Sequence, residues 1–354
     1  MKTKKIVSTL IALMLVAVLF AACSTQSPAE NAPAGSDTTD TADTPADAAA
    51  DDAADEPADE PVAAGDGEAI TVGVLYQGLD SPFVISLQSA MDALDASRDD
   101  IELISLDGLS DPQKQVSQGE TLIQQGVDVI ALNGISVEGC APIVEAANAA
   151  NIPIFTMIGP VSNQDKALTL VGSDHEESGE IEMRMLASDF DGKAKIAVIE
   201  GPLGHSAQIG RLAGYEKVME EYPEIEIVVQ NTANWQRDEA MSLVENWLQT
   251  GVEFDAIASE NDNMALGAIK ALEDAGLQDK IKVYGVDGDD DALQAVKEGR
   301  QAGTVLQSAK GQAEMAFKVI DMIKEGKTAE IDPDSLVPFI GVTTENVDEI
   351  ITNK

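Results

Sequence analysis

Three polar residues in a row, Asn261, Asp262 and Asn263, stand in "SENDNMALGA", where the apolar run "FDAIA" gives way to a helical pattern. Side chains of these types at a strand-to-helix junction can cap the helix, act as an acid, or hold a polar ligand. Catalysis would need an activated partner. The sequence contains no GxSxG, no HExxH and no GxxxxGK[ST], so no nucleophile elbow, zinc-bound water or phosphate loop recruits them to chemistry. Histidines are limited to His175 and His205, and cysteines to Cys23 and Cys140. That supply excludes a disulfide framework and a cysteine metal site, and it weighs against a zinc enzyme.

A second acidic stretch, "DGDDDALQAVKE" from Asp287 to Glu298, carries acids at positions 1, 3 and 5 and a glutamate at position 12, as a calcium loop would. Ala292 stands where the turn glycine belongs, and the run reads as a strand-to-helix connection. Asp289, Asp290 and Asp291 are therefore expected at a helix start, where acids favour the N-terminal dipole. No metal, cofactor or catalytic residue is expected.

The elements that must position these residues begin with length and charge. A chain of 354 residues with 44% hydrophobic residues can bury one large or two medium cores. Its formal net charge of -41 repels phosphates, which argues against nucleic acid and anionic membrane surfaces as partners. Residues 1–23 have the form of an export signal: "MKTKK" is basic, "IVSTLIALMLVAVLF" apolar, and "AAC" small. The apolar run is short for a membrane span. The cysteine after small residues resembles the lipobox of bacterial lipoproteins, although Phe20 stands where leucine is usual. The resemblance implies that Cys23 is acylated with a diacylglyceryl group and becomes the first mature residue. Residues 24–69 hold thirteen acids and no Lys or Arg, a composition expected to form a disordered, self-repelling tether.

From Ile70 onward apolar strand runs alternate with amphipathic helical patterns. "AITVGVLY" precedes a helix begun by Pro82; "IELISL" precedes one capped by Asp111 and stopped by Gly126. "VDVIAL" and "IPIFTMI" continue the cycle, and "AKIAVIEG", "IEIVVQNTA", "FDAIASE" and "IKVYGVDG" resume it beyond "TLVGSDHEESGEIEM". Such alternation means parallel sheets covered on both faces. The expected fold is α/β: two similar doubly wound parallel-sheet lobes, with the strands' carboxyl ends around one cleft.

Across residues 70–354 the chain resembles the type I periplasmic sugar-binding proteins, the ribose- and galactose-binding group that serves ABC transporters. "SPFVISL", "LNGIS", "GPLGHSAQIGRLAGY", "NTANWQRDEAM", "ENDNMALGAIKAL", "GVDG" and "GTVLQ" carry the resemblance in order and spacing. It implies a three-crossing hinge, with crossings near Ser173, near Gln307 and after Ile331, an N-lobe at about 70–173 and 308–331 and a C-lobe at about 174–307 and 332–354. It also implies that Ser81, Phe83, Asn133, Trp235, Asn261, Asp287 and Gln307 line the cleft. The residue types suit that use, because a sugar needs amides and carboxylates for its hydroxyls and flat aromatics for its ring face. Asp262 is expected to cap the following helix while Asn261 reaches the ligand.

The chain also departs from the family. Ile158 and Gly159 replace an Asp-Arg pair, and Ile209 replaces an arginine. Arg211 is expected in a structural role instead. His205, Gln208, Arg237 and Glu260 are further candidates that could compensate for the lost guanidinium groups. The function implied is an extracytoplasmic, lipid-anchored binding protein, monomeric and without enzymatic activity. It would capture a monosaccharide or a related polyol or cyclitol and deliver it to an ABC permease. A sensory protein presenting the same ligand to a membrane receptor is the alternative. Gene regulators share the fold, but here a lipoprotein signal stands in place of their DNA-binding headpiece.

Overall fold

Short apolar runs rich in β-branched residues, such as "ITVGVLY" and "KAKIAVIE", form the strands. The computed structural model describes residues 69–354, so the expected export signal, Cys23 and the acidic segment up to Glu68 lie outside the described residues. The first lobe opens with β1 (Ile70–Tyr76), α1 (Pro82–Asp95), β2 (Ile101–Asp107) and α2 (Pro112–Gln125). It continues through β3 (Val129–Leu132), α3 (Ala141–Ala149), β4 (Ile154–Ile158) and β5 (Leu170–Gly172). The second lobe runs through α4 (His175–Asp189), β6 (Lys193–Glu200), α5 (Ser206–Glu221), β7 (Glu224–Thr232) and α6 (Arg237–Thr250). Its sheet is extended by β8 (Ala256–Ser259), α7 (Asp262–Ala275), β9 (Lys282–Asp287), α8 (Asp290–Lys297) and β10 (Gly303–Leu306). The chain then supplies α9 (Ala309–Lys324), β11 (Asp334–Leu336), β12 (Ile340–Val342) and α10 (Val347–Asn353).

The strand order is β11-β5-β4-β3-β1-β2 in one sheet and β12-β10-β9-β8-β6-β7 in the other. All described pairings are parallel except β10 with β12. Central strands such as β3 and β8 are buried throughout, whereas the edge strands β2 and β7 are largely half-buried or exposed. That contrast follows from helices covering both faces of each sheet. In the first lobe, Val84 and Leu87 of α1 meet Ala313, Phe317 and Ile320 of α9 over β1. Each of these apart from Ala313 contributes roughly 1.5–3 kcal/mol by leaving water.

Helix ends follow local chemistry. Asp111 accepts from the amides of Gln113 and Lys114, and Gly126 closes α2 at φ 73°. Asp174 and Ser308 cap α4 and α9, the two helices that begin just after the chain changes lobe.

The chain passes between the sheets after Gly172, after Leu306 and after Leu336. The third passage differs from expectation. Residues 332–336 were expected in the second lobe, yet β11 pairs with β5 in the register Asp334↔Leu170. Three partly exposed residues following "DP" give no apolar run by which to recognise that strand.

Candidate ligand-binding site

Each sheet reverses its strand order once, between β1 and β3 and between β6 and β8. Crevices form beyond the carboxyl ends of strands at such switch points. Gln77 follows β1, Asn133 follows β3, Gly201 follows β6 and Glu260 follows β8. A cavity of about 30 Å³ lies there, lined from the first lobe by Gln77, Ser81, Phe83, Val84 and Ile158. The second lobe contributes His205, Ala207, Arg211, Trp235, Asn261, Asp287 and Gln307. That volume suits about one water, far below the roughly 300 Å³ and more of a small-molecule pocket.

The lobes touch directly around it. His205 Nε2 donates to Gln77 Oε1 at 2.6 Å, and its Nδ1 accepts from the Ala207 amide, capping α5. One tautomer, protonated at Nε2, satisfies both bonds. The Val137 amide donates to the Gly204 carbonyl at 3.1 Å, and Gln236 Nε2 to Asp80 Oδ2 at 3.1 Å.

Arg211, 3% exposed, is the centre of the polar wall. Its guanidinium donates to the Glu260 carbonyl, to Asp287 Oδ1 at 3.3 Å and to Gln307 Oε1 at 3.3 Å. Its charge also lies 5.7 Å from the centre of the Trp235 ring, within cation–π range. Arg211 Nε and Gln307 Nε2 are buried without a partner, two donors that a hydroxylated ligand could satisfy. Burial pushes the Asp287 carboxyl up to about 7, Arg211 opposing and Asp262 adding to the rise. Burial, with Arg211 nearby, lowers His205 to about 4. Burial also raises Glu260 well above the ordinary carboxylate range.

Six of the seven expected cleft residues meet at this cavity: Ser81, Phe83, Trp235, Asn261, Asp287 and Gln307. Asn133 stands one layer back. Its Oδ1 accepts from the Gln77 amide at 3.1 Å and its Nδ2 faces Gln77 Oε1 at 3.4 Å, so it orients the lining residue. Phe83 and Trp235 belong both to the cavity wall and to the lobes' cores. Trp235 lies edge-on to His205 with ring centres 5.5 Å apart. It packs against Gly201, where a side chain would collide with the indole.

Other expectations are corrected. Asn261, not Asp262, caps α7, its Oδ1 accepting from the Met264 amide at 2.9 Å. Asp262 is the first helical residue, and its buried carboxylate turns toward the β9–α8 connection. His205 lines the cavity, but Gln208 accepts from the Gly204 amide and Glu260 from the Gly201 amide, so both brace the loop beside it. Arg237 points away, to Asn263 Oδ1 and Asp291 Oδ2 on an outer groove. Ile209 is half-exposed and takes no part in the wall.

Gln77, Val84 and Ala207 are lining residues not named from sequence, while Ile158 and Arg211, named there as a departure from the family and as a structural residue, line the cavity too. Gln77 had a signal, its place directly after the first strand. Ile158 had one in its place at the end of the fourth strand; its φ of 68°, in the left-handed region that a β-branched residue rarely adopts, had none.

Residues 72–328 match a family profile described as a periplasmic binding protein domain. A xylitol-binding protein of Mycolicibacterium smegmatis is 34% identical over 289 residues, covering 81% of each chain. A ribose import binding protein of Bacillus subtilis is 32% identical over 267 residues, 75% of this chain and 86% of the relative. An ABC transporter solute binding protein from Bacillus halodurans, solved with bound myo-inositol, superposes with a TM-score of 0.78. It shares 38% of residues, over 82% of this chain and 100% of that one.

Proposed function

The chain belongs to the periplasmic binding protein domain family, and on that premise we propose that it captures a small polyol, cyclic or linear, for an ABC import permease. The observation that carries this reading is the composition of the one wall shared by both lobes. Amides, a carboxylate, a guanidinium and a histidine alternate there with Phe83 and Trp235. Such a set recognises a ring or chain that is hydroxylated at its edges and apolar on its faces. Ser81, Phe83, Trp235, Asn261, Asp287 and Gln307 are proposed as direct contacts, joined by Gln77, His205 and Arg211.

The ligand class follows from what stands in place of the family's arginines. β4 ends at Ile158 with Gly159 following it, and the first-lobe side of the cavity, Gln77, Ser81, Phe83, Val84 and Ile158, carries no guanidinium. The relatives named for xylitol and solved with myo-inositol point the same way, so polyols rank ahead of ribose. A thermal-shift series with myo-inositol, xylitol and ribose tests the order. A ligand at about 100 times its dissociation constant adds roughly 2.7 kcal/mol of stability. Stabilisation by ribose alone would overturn the polyol reading.

Capture requires the lobes to part, since a cavity of about 30 Å³ admits no ring. Hinge closure in periplasmic binding proteins is a known form of domain motion, and the three passages between the sheets supply the hinge. We further propose that residues 1–23 are a lipoprotein signal, that Cys23 is acylated, and that residues 24–69 tether a monomeric binding domain outside the cytoplasm. The basic, apolar and small-residue order of the first 23 residues supports this. Cys23→Ser should release the protein from membranes with unchanged ligand affinity; fractionation and titration check both halves.

A further inference from the structure

Asp262 is fully buried, yet it neither caps a helix nor faces the cavity. Its Oδ2 accepts from the amides of Gly288 at 2.7 Å and Asp289 at 3.1 Å. Its Oδ1 accepts from Gln301 Nε2 at 2.8 Å, and Thr304 Oγ1 lies 2.8 Å from both oxygens. One carboxylate therefore joins α7, the β9–α8 turn and β10. Room for it is made at Gly285, where a Cβ would collide with Asp262 Oδ1.

The turn it grips is unusual. Asp287 has φ 124°, a conformation that costs an L-residue energy, and Gly288 follows at φ 69°, which glycine adopts freely. Such a backbone persists only where its surroundings over-determine it. Besides Asp262, the turn is held by the Gln307 amide on the Asp287 carbonyl and by Lys354 Nζ on the Gly288 carbonyl. Only Asp262 takes the two amides that follow Asp287.

We propose that Asp262 is a positioning residue for ligand recognition, holding the strained Asp287–Asp289 turn so that the Asp287 carboxyl faces the cavity. This rests on the reading that Asp287 contacts the ligand. Asp262→Asn would set an NH₂ or a weaker acceptor against the two amide donors. Ligand affinity should then fall on the order of tenfold to a hundredfold.

A double-mutant cycle separates positioning from general support. Asp262→Asn, Asp287→Asn and the double variant are titrated with myo-inositol, xylitol and ribose. Thr304→Val, which removes one donor to Asp262 without changing side-chain shape, provides a milder version. Positioning predicts that Asp262→Asn weakens binding strongly in the wild type and little once Asp287 is asparagine. Full additivity in the cycle overturns the proposal. Unchanged affinity in Asp287→Asn itself would instead remove the ligand role of Asp287. Amide hydrogen exchange gives a readout free of ligand: Gly288 and Asp289 should exchange at least about tenfold faster in Asp262→Asn or Thr304→Val. Unaltered exchange at those two amides also overturns the proposal.

Discussion

Asn261 divides its side chain between two tasks. The oxygen caps α7 through the Met264 amide, which leaves the amide nitrogen to serve the cavity it lines. Asn261→Ala should therefore lower folding stability by about 1 kcal/mol and ligand affinity by roughly 1–3 kcal/mol, seen together in melting curves and titrations. Intact affinity would exclude Asn261 from the site. The buried acids give a pH dependence whose sign is fixed. Asp287 is pushed up to about 7 and Glu182 to about 8, both chiefly by burial. Their contribution is complete below the unfolded carboxylate range and is lost as pH rises through those values. His205, depressed to about 4, works the other way, losing its contribution as pH falls from about 6.5. Between pH 6.5 and 8 the acids act alone, so the melting temperature should fall across that window. Glu182→Gln should flatten the slope. Much of this cavity was legible through the family resemblance, which named six of the residues lining it. Arg211 is expected, from the resemblance, as a structural arginine tying its helix to a loop; its fork does reach the Glu260 carbonyl, and it also reaches Asp287 and Gln307 in the cavity wall. A contact made at the far end of a long side chain leaves no mark in local sequence.

At the scale of elements, caps and apolar runs were readable, as Asp111, Gly126 and the run before Tyr76 show. The shortest strands were not. β5 and β11 have three residues each, and β11 exposes two of its three, so pairing alone defines them. Helix contacts were equally silent. α4 and α5 approach closely enough that a Cβ at Gly214 would collide with the Glu176 carbonyl oxygen. Gly214→Ala should cost about 1–3 kcal/mol in denaturant titrations. Because α5 carries Arg211, affinity should fall with it. Loss of stability with full affinity would show that the guanidinium is fixed from its acceptors rather than from its helix.

For the whole molecule the telling contacts are those between lobes. His205→Ala removes the bond to Gln77 and should raise the ligand-free radius of gyration in small-angle scattering, with myo-inositol reversing the change. An unchanged radius would mean that the hinge segments alone hold the lobes together. Trp235 reports the same motion. Its fluorescence should respond to saturation, while Trp247, packed edge-on to Phe254 with centres 6.3 Å apart, should stay constant. The placement of β11 and β12 has a bearing on biogenesis. Both sheets receive their last strand from the far end of the chain, after every other strand of both has been made. At about 5–20 residues per second, the edge of β5 waits on the order of ten seconds for its neighbour to leave the ribosome. A bare parallel edge is an invitation to wrong partners. Neither sheet is complete until these two late strands are in place, so each lobe closes its last edge only after the strands of the other have been made.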